Sequence, residues 1–168
     1  PLPTEKRTAF HFAAGSSPRE GAMAPGAPSS DGADRYVTDY TATTATVDAK
    51  GQTYTTAPLA ADMTIAGHPV VNLWITSTAS DGDFIAWLED VAPDGTVTRL
   101  PGSEDGRLRA SHRKPGKPPF AMPGLPWHRS FAADIEPLVP GQPAQLRFDA
   151  RYLAGGVNRS EEHTSELQ

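Results

Sequence analysis

Prolines and glycines interrupt this chain too often for long helices to form. Its 168 residues include 17 prolines and 15 glycines. A proline inside a helix removes a backbone hydrogen bond and clashes with the preceding turn, and a glycine lowers helix stability. The segments between these residues therefore favour short strands joined by turns and loops.

Apolar residues alternate with polar ones in several of these segments, as they do in strands. The predicted strands lie at residues 8–12, 70–77, 84–91, 96–100, 106–111, 130–135 and 144–149. The stretch 15–34, rich in proline, glycine and serine, predicts a long loop or linker. Many short strands separated by turn signals are typical of an all-β sandwich or jelly roll.

The three tryptophans fall in two kinds of sequence context. Trp74 and Trp87 lie inside the apolar runs of two predicted strands, where a tryptophan usually packs in the core. We therefore expect both side chains to be buried. Trp127 lies beside His128 in a loop rich in proline and glycine, and these two residues are the candidates for ligand contact or for the wall of a cleft.

Charge and composition argue against several classes of function. The formal net charge of −5 gives no broad attraction to nucleic acid or anionic lipid, and no apolar run approaches the roughly 18 residues of a membrane-spanning helix. The chain has no cysteine, so it has no disulfide, thiolate metal site or cysteine nucleophile. A local basic set interleaved with Phe120 and Trp127 has the composition of a single-strand nucleic-acid groove, but a solvated loop explains it more simply. Its members are Arg107, Arg109, Arg113, Lys114, Lys117 and Arg129.

A serine and a histidine are adjacent at Ser111 and His112, downstream of Glu104 and Asp105. These are the residue types of a nucleophilic hydrolase. Catalysis needs a histidine nitrogen within reach of the serine hydroxyl, whereas adjacent residues on an extended strand point to opposite faces. The segment also lacks the Gly-x-Ser-x-Gly turn that exposes a nucleophilic serine. The sequence therefore predicts a structural strand and loop here, and no catalytic residue in the chain.

Acidic residues are densest between residues 81 and 94, and carboxylates in the loops of a β-sandwich can bind calcium. They are Asp81, Asp83, Glu89, Asp90 and Asp94. Their spacing is not that of a dedicated calcium loop, and aspartates at 81 and 94 are typical of turn capping. The histidines lack the close spacing of a zinc motif. We expect turn capping, with calcium as the alternative, and assign no metal and no cofactor.

A series of motifs runs through the first 149 residues. It comprises Pro58-Leu59, Asp62, Gly67-His68-Pro69, Asp81-Gly82-Asp83-Phe84, and Asp90-Val91 with Pro93-Asp94-Gly95, followed by the segments GRLRASHR, PWHRSF and PLVPGQPAQLRFD. In this order and spacing the motifs resemble the C-terminal domain of CocE/NonD-type hydrolases, the domain also named for X-Pro dipeptidyl-peptidases.

The resemblance implies a galactose-binding-like jelly roll that follows an α/β-hydrolase domain with a helical cap. In that family the serine, aspartate and histidine triad lies in the α/β domain, so the resemblance carries no catalytic residue onto this chain. The implied function is that of an accessory domain in a serine hydrolase that cleaves acyl esters, amides or X-Pro peptides. We expect this domain to support the catalytic domain of the same parent chain, to wall its cleft and to be inert alone.

The resemblance also suggests how the chain is divided. We expect a connecting strand and flexible linker at 1–34, the jelly-roll domain at 35–158, and a foreign tail at 159–168 in place of the family's final strand. The tail reads RSEEHTSELQ, which is the translation of a common sequencing-adapter sequence. Because Leu167 is its one large apolar residue, burial cannot offset the entropy of ordering it. We therefore expect a frayed segment or a short solvated helix, with an unpaired strand edge left beside it.

A carbohydrate-binding module is the alternative function, since jelly rolls of this superfamily often bind sugars. An exposed aromatic strip on one sheet face would favour sugar binding, whereas a broad apolar patch would favour docking of a catalytic domain. A freestanding secreted structural domain is a third hypothesis and requires a complete final strand. We expect neither nucleic acid nor a membrane as a partner, and the sequence does not indicate the compartment or the oligomeric state.

Overall fold

The structure, a computed structural model, describes residues 6–17, 19–39, 41, 51–100, 106–121, 124–150, 153–157 and 162–167. For residues 16–17, 153–157 and 162–167 it describes the backbone alone. Its helices within these ranges are the single-turn 3-10 helices Ala110–His112 and Ala132–Asp134, and none is long and apolar enough to cross a membrane. The strands are β1 (His11–Ser17), β2 (Glu20–Ala24), β3 (Gln52–Thr55), β4 (Met63–Gly67), β5 (Val70–Ile75), β6 (Asp83–Val91), β7 (Val97–Arg99), β8 (Gly106–Arg109), β9 (Ala144–Asp149), β10 (Leu153–Val157) and β11 (Glu162–Leu167).

The described strands pair into one large sheet and two small ones. The large sheet has the order β1-β2-β3-β11-β6-β7, and β8 pairs with the start of β6 on the same side as β7. The small sheets are the pairs β5-β9 and β4-β10. The described pairs are antiparallel except for β2 with β3, which run parallel.

The core lies between the large sheet and the β5-β9 pair. Leu146 and Phe148 of β9 are fully buried, and Val71, Leu73 and Ile75 of β5 pack against the same cluster. The large sheet contributes Met23, Tyr54, Ala86 and Leu108. Two layers of strands around one apolar core form an all-β sandwich, as the sequence predicted. The jelly-roll connectivity stays a prediction.

The predicted linker at 15–34 contains regular structure that the sequence did not indicate. β1 continues to Ser17, and β2 follows with Met23 buried in the core. β2 then pairs with β3 beside Tyr54. A β-carbon at Gly21 would lie 2.4 Å from the Tyr54 ring, so the small residues of β2 allow a close approach of the ring to its backbone. The residues of β2 do not alternate between apolar and polar, and for this reason the sequence did not predict the strand.

The two tryptophans of the central strands lie in opposite environments. Trp87 on β6 is 5% exposed, as expected; its indole N–H donates to Glu89 Oε1 at 3.1 Å, and the Arg99 guanidinium lies 4.0 Å from its ring centroid. Trp74 on β5 is 69% exposed, so the expectation that it is buried is wrong. Alternation identifies two faces of β5 without showing which is covered, and the core packs against the face of Val71.

The other strand predictions agree with the structure to different degrees. Strands are confirmed at 70–75, 83–91, 97–99 and 144–149. The predicted strand at 130–135 is wrong, because Ser130 has a φ of 54° and the chain then forms the 3-10 helix Ala132–Asp134. The predicted strand at 106–111 ends at Arg109, where the other 3-10 helix begins.

The C-terminal tail also differs from the prediction. Residues 162–167 form β11, which pairs antiparallel with β3 on one side and β6 on the other. The expectation of a frayed segment or helix is therefore wrong for these residues, and the edge expected to be unpaired is filled. Such a ladder uses backbone groups that every residue except proline carries. Because any segment without proline can pair in this way, the pairing does not test whether 159–168 is foreign, and that origin stays a prediction.

Trp87→Ala should destabilise the domain by about 3–5 kcal/mol, because it removes a large buried side chain. Trp74→Ala is the matched control and should change the free energy of unfolding by less than about 1 kcal/mol, since that indole is mostly in solvent. Chemical denaturation followed by circular dichroism measures both values. Equal losses in the two variants would contradict the exposed position of Trp74.

Candidate functional site

Three loops meet at one end of the sandwich. This loop cluster consists of residues 76–82, 110–113 and 134–141. The Ala110 N–H donates to the Gly82 carbonyl at 2.8 Å, and the Leu138 N–H donates to the Ser80 carbonyl at 2.7 Å. Backbone hydrogen bonds between loops replace sheet pairing here, so the three segments hold each other in place.

Asp81 joins two of these loops through its side chain. Its Oδ1 accepts hydrogen bonds from the backbone N–H groups of Gly82 and Ser111, each at 2.9 Å. Its Oδ2 accepts the Ser111 hydroxyl hydrogen at 2.8 Å. The contact with Gly82 is the turn capping that the sequence predicted. The contacts with Ser111, distant in sequence, had no signal in the pattern.

Hydrogen bonding favours the charged form of Asp81. Burial opposes ionisation, but donation from Ser111 and Gly82, together with the positive charge of Arg109, outweighs burial and lowers the pKa of Asp81 below its ordinary value. Arg109 also donates to both oxygens of Asp83, at 2.8 and 2.7 Å, and lowers the pKa of that carboxyl. Both carboxylates therefore stabilise the folded cluster when they are ionised.

The Ser111 side chain is placed for structure rather than for attack on a substrate. It is 4% exposed, and its hydroxyl donates to Asp81. Within the described ranges no histidine bonds to that hydroxyl, and His112 Nδ1 is buried without a hydrogen-bond partner. A general base needs one ring nitrogen at the nucleophile and an acceptor that orients the other. The neighbouring serine and histidine thus do not form a nucleophile and base pair.

The loop that carries Trp127 and His128 is held against β9. The ring nitrogens of His128 lie 3.2 Å from the Lys114 carbonyl oxygen and 2.8 Å from the Arg147 carbonyl oxygen. The Arg147 guanidinium donates to the Gly124 carbonyl at 3.0 Å. Because both nitrogens of His128 face carbonyl groups of the protein, this residue connects the loop to the sheet.

Trp127 contacts Gly116, one of the residues that line a cleft of about 250 Å³. Its ring packs against Gly116, where a β-carbon would lie 2.7 Å from Cζ3, and the Gly116 N–H donates to the Trp127 carbonyl at 2.9 Å. The cleft is lined by Lys114, Pro115, Gly116, Lys117, Arg129 and Asp134. The structure therefore places Trp127 and His128 in one fixed loop beside a concave surface. A role for the two residues in ligand contact or in the wall of a cleft stays a prediction, and the cleft itself left no signal in the sequence because the fold assembles it from both ends of the loop.

Acidic partners neutralise much of the positive charge in this region. Arg129 donates to both carboxylate oxygens of Asp134, with Nε at 2.7 Å from Oδ2. This contact lowers the pKa of Asp134 and raises the pKa of Arg129. Arg113 pairs with Glu136 at 3.1 Å. Three members of the basic set noted in the sequence, Arg109, Arg113 and Arg129, are thus each held in an ion pair with one carboxylate.

Large apolar side chains are exposed on the segment 120–139 and on β5. The segment 120–139 exposes Phe120, Phe131, Ile135 and Val139, and β5 exposes Val70 and Trp74. The Arg129 guanidinium lies 5.1 Å from the Phe131 ring centroid, which places Phe131 at the border of the cleft. The sequence did not predict this exposed group, because the exposure of a loop residue depends on packing between distant segments. Exposed apolar residues beside a cleft are typical of a surface that contacts another domain.

The acidic residues between 81 and 94 have separate partners. Asp94 accepts a hydrogen bond from the Thr96 N–H at 2.9 Å, which confirms turn capping at this position. Glu89 accepts from the Trp87 indole in the buried part of β6. No group of three or more His, Asp or Glu side chains in the described residues is placed to hold a metal ion. The calcium alternative therefore has no assembled set of ligands there.

The lowered pKa of Asp81 predicts acid sensitivity of the loop cluster. Because the folded pKa lies below the unfolded value of about 3.9, the stabilisation is complete above that value and is lost as pH falls through the folded pKa. The melting temperature should therefore drop below about pH 4, and it should drop less steeply in Asp81→Asn. The exposed Asp31→Asn is the control and should keep the wild-type slope. Identical slopes in all three proteins would show that the Asp81 contacts contribute nothing to stability.

Comparison with known sequences identifies relatives that are much longer than this chain. Proteins named as serine esterases in Mycobacterium bovis and Mycobacterium tuberculosis are each 41% identical to it over 151 aligned residues. Each alignment covers 76% of this chain and 23% of the relative. The chain thus spans about a quarter of the length of these curated relatives.

Solved structures with a similar fold are also long hydrolases. A CocE/NonD family hydrolase from Staphylococcus aureus superposes with a TM-score of 0.60 at 17% identity, over 72% of this chain and 23% of that one. An α-amino acid ester hydrolase gives a TM-score of 0.54 at 25% identity, over 70% of this chain and 18% of that one. Residues 1–154 match the family described as the X-Pro dipeptidyl-peptidase C-terminal non-catalytic domain. The chain therefore belongs to this family of non-catalytic C-terminal domains.

Proposed function

We propose that this domain is the accessory β-sandwich of a CocE/NonD-type serine hydrolase and docks against an upstream α/β-hydrolase domain of the same parent chain. In this function it supports the catalytic domain and supplies part of the wall of its cleft. It contributes shape and stability but no reacting group, and it is inert alone. The parent enzyme would cleave acyl esters, amides or X-Pro peptides.

The observation that carries this proposal is the exposed apolar group of the segment 131–139, which includes cleft residue Asp134. Phe131, Ile135 and Val139 lie on one short segment that is exposed to solvent. The same segment is fixed by the hydrogen bond from the Leu138 N–H to Ser80. Apolar side chains held in place on a rigid surface lose little entropy when a partner covers them. They therefore favour a permanent contact with another domain.

The position of Trp127 supports the proposal that this domain supplies part of the wall of a substrate cleft. Its loop is tied to β9 through His128 and Arg147, and the two sides of the loop are tied together through Gly116. A wall of a substrate cleft has to keep its shape while substrates enter and leave. In this proposal Trp127 and Lys117 face the cleft of the parent enzyme, and His128 holds their loop on the sandwich.

The docking surface can be tested with the hydrolase segment of the parent gene produced as a separate protein. We expect Phe131→Ser and Ile135→Ser together to weaken its binding to this domain by at least about tenfold, equal to about 1.4 kcal/mol. The exposed Val97→Ser, on β7, is the matched control and should leave binding unchanged. Isothermal titration calorimetry measures the dissociation constants. Equal affinities for the two variants and the wild type would contradict docking through this surface.

A second function, carbohydrate binding, is favoured by the outer face of the β5-β9 pair. Trp74 is exposed there, and Asn72 accepts a hydrogen bond from the Gln145 side-chain amide at 2.8 Å. A flat aromatic ring beside amides is a common surface for sugars, but only one aromatic residue stands on this face of β5 and β9 rather than a strip. Retention on insoluble polysaccharides that is lost in Trp74→Ala would support sugar binding. The accessory-domain proposal predicts no retention of either protein.

A further inference from the structure

The cleft that contains Gly116 carries an excess of positive charge in a chain that is acidic overall. The formal net charge of the chain is −5. Among the residues that line the cleft, Lys114, Lys117 and Arg129 are cationic, whereas Asp134 is acidic. The local charge is therefore opposite in sign to that of the whole chain. A concave surface of this kind attracts anions that the rest of the chain repels.

The carboxylate that lines the cleft already has its partners. Arg129 donates to both oxygens of Asp134, and the Phe131 backbone N–H donates to the same carboxylate. The hydrogen bonds from Arg129 contribute most to the lowered pKa of Asp134, and the charge of Lys114 contributes least. Asp134 thus balances the charge of Arg129, and the charges of the two lysines are in excess.

The two lysines are exposed, and their ammonium groups form no ion pair among the residues that the structure describes. Lys114 directly precedes Pro115, and Lys117 directly precedes Pro118. A proline confines the residue before it to extended backbone. An extended chain of the polyproline type has three residues per turn, which would place residues 114 and 117 on one face, about 9 Å apart. Both residues line the same cleft, in agreement with this geometry.

The backbone that carries the two lysines is fixed to the sandwich. The Lys114 carbonyl oxygen lies 3.2 Å from His128 Nδ1, and the other ring nitrogen of His128 contacts β9. Gly116, between the lysines, donates its N–H to the Trp127 carbonyl at 2.9 Å. A site whose backbone is already ordered loses less entropy when a ligand binds.

A strained residue lies beside the cleft. Ser130 has a φ of 54°, a left-handed conformation that is uncommon for residues other than glycine. It separates Arg129 from Phe131, and donors on both sides of it reach the Asp134 carboxylate. Strained backbone is found most often at binding and catalytic sites. The strain at Ser130 therefore supports a ligand role for this corner of the cleft.

We infer that the cleft is a binding site for a small oxyanion, a carboxylate or a phosphate group, held between the ammonium groups of Lys114 and Lys117. Its volume of about 250 Å³ holds such a group together with part of the molecule that carries it. Lysine ammonium groups are point charges on flexible stems, so the site selects charge and size rather than one geometry of the anion. In the parent enzyme the anion is the charged end of an ester or amide substrate, and this assignment rests on the proposed function, in which the cleft faces the active site.

Anion binding can be measured on the chain itself by NMR titration of its backbone amides with sodium succinate and, separately, with sodium phosphate at constant ionic strength. We expect saturable shifts at Gly116 and Lys117, with a dissociation constant on the order of 1–10 mM. Lys114→Gln and Lys117→Gln should each weaken binding by about threefold or more, since each removes one of the two charges. The exposed Arg35→Gln is the matched control, because it removes one positive charge from a residue that does not line the cleft. No saturable shift at either amide, or an equal loss of affinity in Arg35→Gln, would overturn the inference.

The assignment to the substrate can be tested in the complete parent enzyme with two esters that differ in one terminal group. Mono-p-nitrophenyl adipate ends in a carboxylate, and p-nitrophenyl hexanoate ends in a methyl group. The ratio of kcat/KM for the first ester to that for the second should fall about fivefold when Lys114→Gln and Lys117→Gln are combined. Arg35→Gln should keep the wild-type ratio.

The two experiments separate failure of the anion site from failure of the proposed function. The titration needs no catalytic domain, so it decides whether the cleft binds anions even if the hydrolase segment does not bind this domain. Anion binding to the chain together with an unchanged ratio in the double variant would overturn the assignment to the substrate. Anion binding together with the fivefold fall would support both.

Discussion

The Asp81 carboxylate is the constraint on which the loop cluster at one end of this domain depends. By accepting hydrogen bonds from Ser111 and Gly82 it ties the loop after β5 to the turn after β8. The Ser111 carbonyl then accepts from the Glu136 N–H at 2.7 Å, so the segment that exposes Phe131 is positioned from the same point. A single ionised side chain thus organises three loops that no sheet ladder connects.

This arrangement explains why a serine beside a histidine serves structure here. A nucleophilic serine has to be accessible and paired with an oriented base, whereas Ser111 is buried and bonded to a carboxylate. At the cleft, Arg129 is likewise held by a carboxylate, that of Asp134. The chain belongs to a family of non-catalytic domains, and the buried, hydrogen-bonded position of Ser111 agrees with that family.

The sequence predicted the parts of the fold that local patterns encode. Alternation located β5, β6 and β9, and turn signals located the bend at Asp94, because periodicity and turn chemistry are properties of neighbouring residues. Which face of β5 is covered depends on other segments, so the exposure of Trp74 was missed. β2 was missed because its residues are small, and the pairing of β11 rests on backbone groups that leave no mark in the sequence. At the site, the role of Trp127 and His128 stays a prediction from their loop context, whereas the Asp81 to Ser111 contact and the cleft arise only from the fold.

The central claim is that Ser111 has a structural role and is not a nucleophile. The most direct test treats the purified chain with a fluorophosphonate, which labels activated serines, and measures p-nitrophenyl ester hydrolysis in parallel. We expect no label on Ser111 by mass spectrometry, and hydrolysis at the buffer rate in both the wild type and Ser111→Ala. Covalent labelling of Ser111, together with hydrolysis that is lost in Ser111→Ala, would contradict the account.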